Sequence, residues 1–457
     1  MDLNDQLDPL GQSPALRIYT QISLCFSILD PSSHPAIIST LTNGLERLSA
    51  SFPWLAGQLV NKGSGEGNTG VFGIQPFEKM PTLVVKDHRN NPLIPSMDDL
   101  RRANFPFSML DESIFASRKT IPGSPDELLT LPIFLVQANF ITGGLVLTFD
   151  GQHNTMDMTG QGQIIHLFSK ACRNEEFTCE ELSSGNLTRR NLIPLLDDLY
   201  KPGPELAHQV MNLNLSPSVS KETDDRPAPP KCTWAYFTFP SASLTALKAL
   251  ATKSITLPSG GYISTDDALT AFIWQSITRA RLPRINPAVK STLARAVDVR
   301  RHLGIPQTYP GLMQNMTFHT YTSQKLLEEP LGGVASQLRS AVDPKSSSLK
   351  YNTRALATFL DRSPDKNAVY FVGALDLSTD IMLSSWAKVD CFELDFGLGL
   401  GNPEAVRRPR FDPVESLLYL MPKTPDGEIT VAVCLRDEDM ERLKLDEQFA
   451  RYGSYIG

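Results

Sequence analysis

The stretch Asn212 to Lys231 constrains this chain more than any other. It carries several serines and prolines around a charged centre, Lys221-Glu222-Thr223-Asp224-Asp225-Arg226. Such a composition suits an exposed connector between folded units. The full sequence of 457 residues is too long for one ordinary core. The chain is therefore expected to fold as an N-terminal unit, 1–211, a linker, 212–231, and a C-terminal unit, 232–457.

In the first unit, Gly144-Leu145-Val146-Leu147-Thr148-Phe149 reads as a buried strand. From Met158 to Arg173, Ile164, Ile165, Leu167, Phe168 and Cys172 recur at roughly helical spacing. Between them stands Gly151-Gln152-His153-Asn154-Thr155-Met156-Asp157. His153 thus sits in a strand-to-helix connection, the kind of place where rigid elements display catalytic side chains. Imidazole is well suited to taking and returning a proton near neutral pH. A hydrogen-bonded structural histidine is the alternative reading.

The other elements follow from pattern. Ile18–Ile28 alternates as a strand, and Pro35–Ser51 carries the stripe Ile37, Ile38, Leu41, Leu45 and Leu48 of an amphipathic helix. Gly63–Gly70 suits a hairpin loop, and without a following Gly-Lys-Ser/Thr it is not a phosphate cradle. Leu131–Ile141 pairs across Thr142-Gly143-Gly144 with the strand that leads to His153. Arg189–Asp198 is expected to be helical. Beyond the connector, strands are expected at Trp234–Phe239, Ala294–Arg300, Gln314–Thr322, Ile381–Trp386, Ser416–Met421 and Ile429–Leu435. Helices are expected at Ser241–Thr252, after Ser264-Thr265-Asp266-Asp267, and at Asp437–Tyr452.

A net charge of −7 and a pI of about 5.6 argue against nucleic-acid binding and against a polybasic membrane anchor. The N-terminus lacks signal-peptide character, and no apolar run reaches bilayer length. Six scattered cysteines suggest a reduced, cytoplasmic setting and no zinc site.

His153-x-x-x-Asp157 and Asp395-Phe396-Gly397-Leu398-Gly399 together resemble the two signatures of the BAHD acyltransferases, which use acyl-CoA. Ser264-Thr265-Asp266-Asp267-Ala268-Leu269 and Val297-Asp298-Val299-Arg300 are similar to family segments between them. Tyr309-Pro310-Gly311-Leu312-x-Gln314-Asn315-Met316-Thr317 and Met382-Leu383-Ser384-Ser385-Trp386-Ala387-Lys388 look like the fungal trichothecene 3-O-acetyltransferase branch. Leu398 stands where plant relatives carry tryptophan and Asn402 where they usually carry lysine, departures that bear on plant-like substrates and not on the chemistry.

The resemblance implies an α/β fold of two chloramphenicol-acetyltransferase-like domains, each a mixed sheet covered by helices, with an active-site tunnel between them. A segment near Ser385–Asp395 is expected to cross back toward the first domain. The activity implied is transfer of acetyl from acetyl-CoA, a co-substrate and not a resident cofactor, to a hydroxyl of a fungal metabolite such as a trichothecene at C-3 or a related terpenoid. Transfer of a longer acyl chain, transfer to an amine, and a non-catalytic binding role are the alternatives. His153 is expected to be the general base, and Asp157 a structural partner of Arg300. Asp395, Gly397 and Gly399 are expected to be structural. Asn315 and Trp386 are candidate oxyanion donors, with Ser384 and Ser385 as further ones. For CoA the candidates are Lys253 with Ser264 and Thr265 at a helix start, or else Arg407 and Arg408. No metal and no further partner is expected, and the chain is expected to work as a monomer.

Overall fold

A computed structural model of the chain describes residues 6–77, 83–210, 230–256, 261–370 and 375–457. Of the expected connector, only Pro230 and Lys231 lie within the described residues. Before it run β1 (Tyr19–Ser27), β2 (Gly57–Lys62), β3 (Val71–Pro76), β4 (Val84–Asp87), β5 (Leu131–Pro132), β6 (Phe134–Ile141) and β7 (Gly144–Gln152). After it come β8 (Cys232–Phe239), β9 (Lys290–Asp298), β10 (Gln314–Thr322), β11 (Ile381–Ser385), β12 (Ala405–Arg407), β13 (Leu417–Leu420), β14 (Ile429–Arg436) and β15 (Ser454–Tyr455).

Among the described residues these strands form three sheets. The first has the order β12-β1-β7-β6-β4, the second β10-β9-β11-β13-β14-β8-β15, and a small one β3-β2-β5. Both large sheets are mixed. In the first, β4 runs parallel to β6, while β6, β7 and β1 are mutually antiparallel neighbours. In the second, β11 is parallel to both β9 and β13.

Every residue of β6 and β7 is buried, because both faces of the first sheet are covered. On one face, Ile22, Leu24, Leu147 and Phe149 pack against Ile37, Leu41 and Leu48 of the helix His34–Ser51 and Ile164, Leu167 and Phe168 of the helix Met158–Cys172. The opposite face is polar yet enclosed. Ser23 bonds Thr148 at 2.7 Å, Gln137 bonds Asn139 at 2.8 Å, and Asp150 accepts from the Ser117 backbone at 2.9 Å. The second sheet buries Phe237, Leu418, Leu420 and Val431 under the helices Ser241–Lys253, Thr265–Arg281, Leu331–Ser340 and Asp437–Leu445.

The crossing back implied by resemblance is seen in the expected segment, where Val389 stands against Gly162, and it continues in a strand further along. β12 leaves the C-terminal unit and pairs antiparallel with β1, Ser23 lying opposite Arg407. Ahead of it, Phe396 stacks on Phe149 and meets Phe26 and Phe168 edge-on or tilted. One hydrophobic cluster therefore runs from the N-terminal sheet through Trp386–Phe396 to Tyr419 and Cys434. Strands from before and after the connector thus share one core.

Two expectations need correction. The segment 189–198 is not helical. Pro194 carries no N–H to continue a helix, and arginines of the helix Leu349–Arg362 claim the carbonyls instead. Arg354 binds those of Pro194 and Leu195, and Arg362 those of Leu196 and Asp197. The terminal helix breaks after Leu445, where the Asp446 carboxylate caps a new turn by accepting from Gln448 and Phe449 backbone N–H groups.

Candidate active site

The junction between β7 and the helix Met158–Cys172 places His153 where β1 begins. Its backbone N–H donates to the Ile18 carbonyl at 2.9 Å, and the ring stays partly accessible. Nδ1 lies 3.1 Å from the Met156 carbonyl oxygen. A carbonyl only accepts, so Nδ1 carries the proton and Nε2 is left with its lone pair. Burial pushes the imidazole pKa below its ordinary value, and the nearby charge of Arg408 pushes the same way, against the Met156 carbonyl and Asp157. His153 is therefore neutral at pH 7, with a free basic nitrogen of fixed identity.

Asp157 does not face that imidazole as a relay would. It caps the helix Met158–Cys172 by accepting from Gly160 N at 2.8 Å. Its oxygens also take Arg300 Nη2 and Nη1, each at 3.0 Å, and the Met313 backbone N–H at 2.6 Å. Arg300 is fully enclosed and spends its other donors on Asp298, the Tyr309 carbonyl and the Gly311 carbonyl. The pair thus bolts the helix beside His153 to the loop between β9 and β10. Contact there is close enough that a Cβ on Gly160 would stand 2.1 Å from the Pro310 carbonyl oxygen.

Beside this joint opens a cavity of about 1680 Å³. Its wall runs from Asp157, Met158 and Gly162 in the N-terminal unit to Ser264, Arg295, Ser384 and Trp386 in the C-terminal unit. His153 lies five residues before Met158 and is not itself among the lining residues. Lys248, Arg301, Arg339, Lys345, Lys388 and Lys423 give the cavity a basic periphery.

The remaining sequence-derived candidates divide. Ser384 and Ser385 line the cavity, and Trp386 presents its indole there with Nε1 donating to Ser384 Oγ at 3.1 Å. The Ser384 hydroxyl accepts that bond, so its own proton is free to point outward. Ser385 instead donates to Asp266. Asn315 does not reach the cavity as a free donor. It is fully buried, accepting from Gln209 and the Met316 backbone and donating to Thr353 at 3.0 Å.

Among the proposed CoA ligands, Lys253 is exposed and absent from the cavity wall. Ser264 and Thr265 do line it, but the helix start is already neutralised. Ser264 Oγ and Asp267 form a capping box, and Asp266 and Asp267 pair with Arg295. Carboxylates there occupy the positive end of the helix that a phosphate would seek. Arg407 is spent on the Asn104, Phe105 and Val406 carbonyls. Arg408 is buried, 5.4 Å from the Trp386 ring centre, and absent from the cavity wall. The six basic residues at the periphery were missed, because they come from separate helices and loops with no shared local pattern.

Asp395 and the glycines after it form a turn. Gly397 N donates to Asp395 Oδ1 at 2.8 Å, and Gly397 and Gly399 hold φ of 66° and 72°. That left-handed region favours glycine. Arg173 donates to the Asp395 carbonyl, tying the turn to the end of the helix that begins at Met158. Among the described residues no cluster of histidine, cysteine and carboxylate side chains could hold a metal ion, and no helix is long and apolar enough to cross a membrane.

Residues 114–450 match the Transferase family, and residues 18–172 match the trichothecene 3-O-acetyltransferase-like N-terminal domain. The chain is 59% identical over all its length to O-acetyltransferase dmxR13 of Cryptosporiopsis sp. (strain 8999), covering 98% of that protein. It is 52% identical to trichothecene 3-O-acetyltransferase TRI101 of Fusarium sporotrichioides, over 99% of this chain and 97% of that one. The solved structure of F. graminearum TRI101 with coenzyme A and deoxynivalenol superimposes with a TM-score of 0.93 at 49% identity, covering 99% of both chains.

Proposed function

The chain belongs to the Transferase family of acyltransferases, and from that premise we propose that it moves the acetyl group of acetyl-CoA onto a hydroxyl of a fungal metabolite. A trichothecene C-3 hydroxyl or a related terpenoid alcohol is the acceptor favoured by likeness to the TRI101 enzymes, one of which is solved with coenzyme A and deoxynivalenol. The observation that carries the reading is the Nε2 lone pair of His153, oriented by the Met156 carbonyl beside a cavity shared by both units.

In this reading the acceptor hydroxyl lies against Nε2. Imidazole takes its proton as the oxygen attacks the thioester carbonyl. The tetrahedral oxyanion receives the outward-facing proton of Ser384 as a hydrogen bond. Collapse breaks the C–S bond, and the imidazolium returns its proton to the leaving sulfur. General-base catalysis of this kind contributes about 10²–10⁴ in rate, and one oxyanion donor about 10²–10³.

The cavity exceeds the ~300–1,000 Å³ of a typical single-ligand pocket, which suits two co-substrates meeting directly. No acyl-enzyme is needed. Burial pushes the thiols of Cys25 and Cys391 up to about 12, so neither offers a thiolate at neutral pH. The basic periphery suits the phosphates of CoA. All six cysteines are free, which fits a reducing compartment, and the reading places the enzyme in the cytoplasm.

The test is incubation with acetyl-CoA and a panel of hydroxylated sesquiterpenoids, reading thiol release and product mass. Acetyl esters with release of one thiol each are expected. Product from amines alone, with none from any alcohol, would overturn the assignment.

A further inference from the structure

Arg408 is a buried cation without a carboxylate. It is 2% exposed, and among the described residues no acidic group lies within ion-pair distance of it. Its backbone is fixed in both directions by the Tyr236 hydroxyl, which accepts from Arg408 N and donates to Arg408 O. The guanidinium lies 4.4 Å from the ring centre of Phe411, 4.6 Å from Tyr419 and 5.4 Å from Trp386. Among the described residues its side chain makes one hydrogen bond, from Nη2 to Thr120 Oγ1 at 3.3 Å, while Nε is buried with no partner. Glu112, the acid whose charge Arg408 feels, is committed to the Thr120 backbone N–H at 2.7 Å.

A guanidinium has five N–H donors, and a buried donor left unpaired carries a desolvation cost. Arg407 beside it shows the usual solution, spending its donors on three carbonyls. Arg408 is different, and its location explains how. The Trp386 ring beneath it lines the cavity, and its charge reaches the His153 imidazole. A buried, half-used donor set therefore stands against the Trp386 ring that lines the cavity, within electrostatic reach of the base.

Resting on the O-acetyltransferase reading above, we infer that Arg408 is a specificity-determining residue for the acceptor. It donates a hydrogen bond to a second oxygen of the alcohol, a carbonyl, ether or further hydroxyl near the group that is acetylated. The aromatic rings around it fix the guanidinium plane, so the bond selects acceptors by where that second oxygen lies. Planar donors of this kind are poorly replaced by lysine.

The test is steady-state kinetics of Arg408→Met and Arg408→Lys with acetyl-CoA and a trichothecene C-3 alcohol, with CoA affinity read by calorimetry. A charged hydrogen bond of ordinary strength corresponds to a fall of about 10- to 100-fold in kcat/KM for the alcohol. That fall is expected in the Met variant, mainly as a raised acceptor KM, with the CoA dissociation constant unchanged. Arg408→Lys recovers part of it. The acid limb of kcat/KM moves to higher pH in the Met variant, because the cation that disfavours imidazolium is gone, and stays nearer the wild type in the Lys variant. An unchanged acceptor KM overturns the inference, as does a matching loss of CoA affinity. Failure of both variants to fold also overturns it, since the guanidinium would then be holding the sheet. A wild-type protein that acetylates no alcohol would instead refute the function proposed above.

Discussion

At the residue scale the account rests on one carbonyl. Met156 O fixes which nitrogen of His153 is basic, and burial keeps that nitrogen unprotonated. Because the folded pKa lies below the ordinary 6.5, most of the imidazole is unprotonated above that value. kcat/KM for the alcohol is therefore expected to pass its acid midpoint below pH 6.5, as pH drops through the depressed pKa. A pH–rate profile with its acid midpoint at or above 6.5 would contradict this. The same shift contributes stability that is present above the unfolded pKa and lost as pH falls through the folded one. His153 and Asp157 were legible in sequence because both lie in one strand-to-helix connection. Their separate duties came from the resemblance, since the three intervening residues alone do not reveal that Asp157 turns to Arg300, Met313 and its own helix. Arg408 was legible as a cation but its enclosure was not, because its aromatic surroundings come from β13 and from segments flanking β11 and β12.

At the element scale, the helix after His153 is positioned by contacts at both its ends. At its start, breaking a buried ion pair singly costs roughly 3–5 kcal/mol. Asp157→Asn and Arg300→Met should each lower stability by that order, and a double-mutant cycle in chemical denaturation should show strong coupling. Additive effects would mean the two side chains do not meet. Gly160→Ala tests the same joint by bulk. Its Cβ would overlap the Pro310 carbonyl, and overpacking of this sort costs about 1–3 kcal/mol. A variant as stable and active as the parent would show that the loop can yield. Toward the other end, Phe396 packs against Phe168 as well as against both strands, and Phe396→Ala should cost about 3–5 kcal/mol in thermal unfolding. Long periodic elements such as His34–Ser51 and β7 were readable, because a buried stripe or run is written locally. Segment 189–198 and β12 were not. One is held extended by arginines some 160 residues away, and the other is three residues long and paired with the opposite unit.

At the scale of the whole molecule, the shared core and the crossing of β12 make the site a product of one chain. Light scattering should report a single-chain mass for the active species, and an active dimer that loses activity as it dissociates would contradict that. Fragments 1–223 and 224–457, expressed together, should assemble into an active pair, since β12 and Phe396 bring the second unit into the first sheet without help from the connector. Copurification that fails, with each fragment folded, would show that the connector supplies the contact. In the proposed reaction these contacts serve a single event, proton removal from an alcohol at His153 Nε2. The direct measurement is acetyl transfer by His153→Ala with acetyl-CoA and a trichothecene C-3 alcohol, beside calorimetric CoA binding. A fall in turnover of about 10²–10⁴ is expected, with CoA affinity retained. A variant that binds CoA normally and keeps more than a tenth of wild-type turnover would contradict the account.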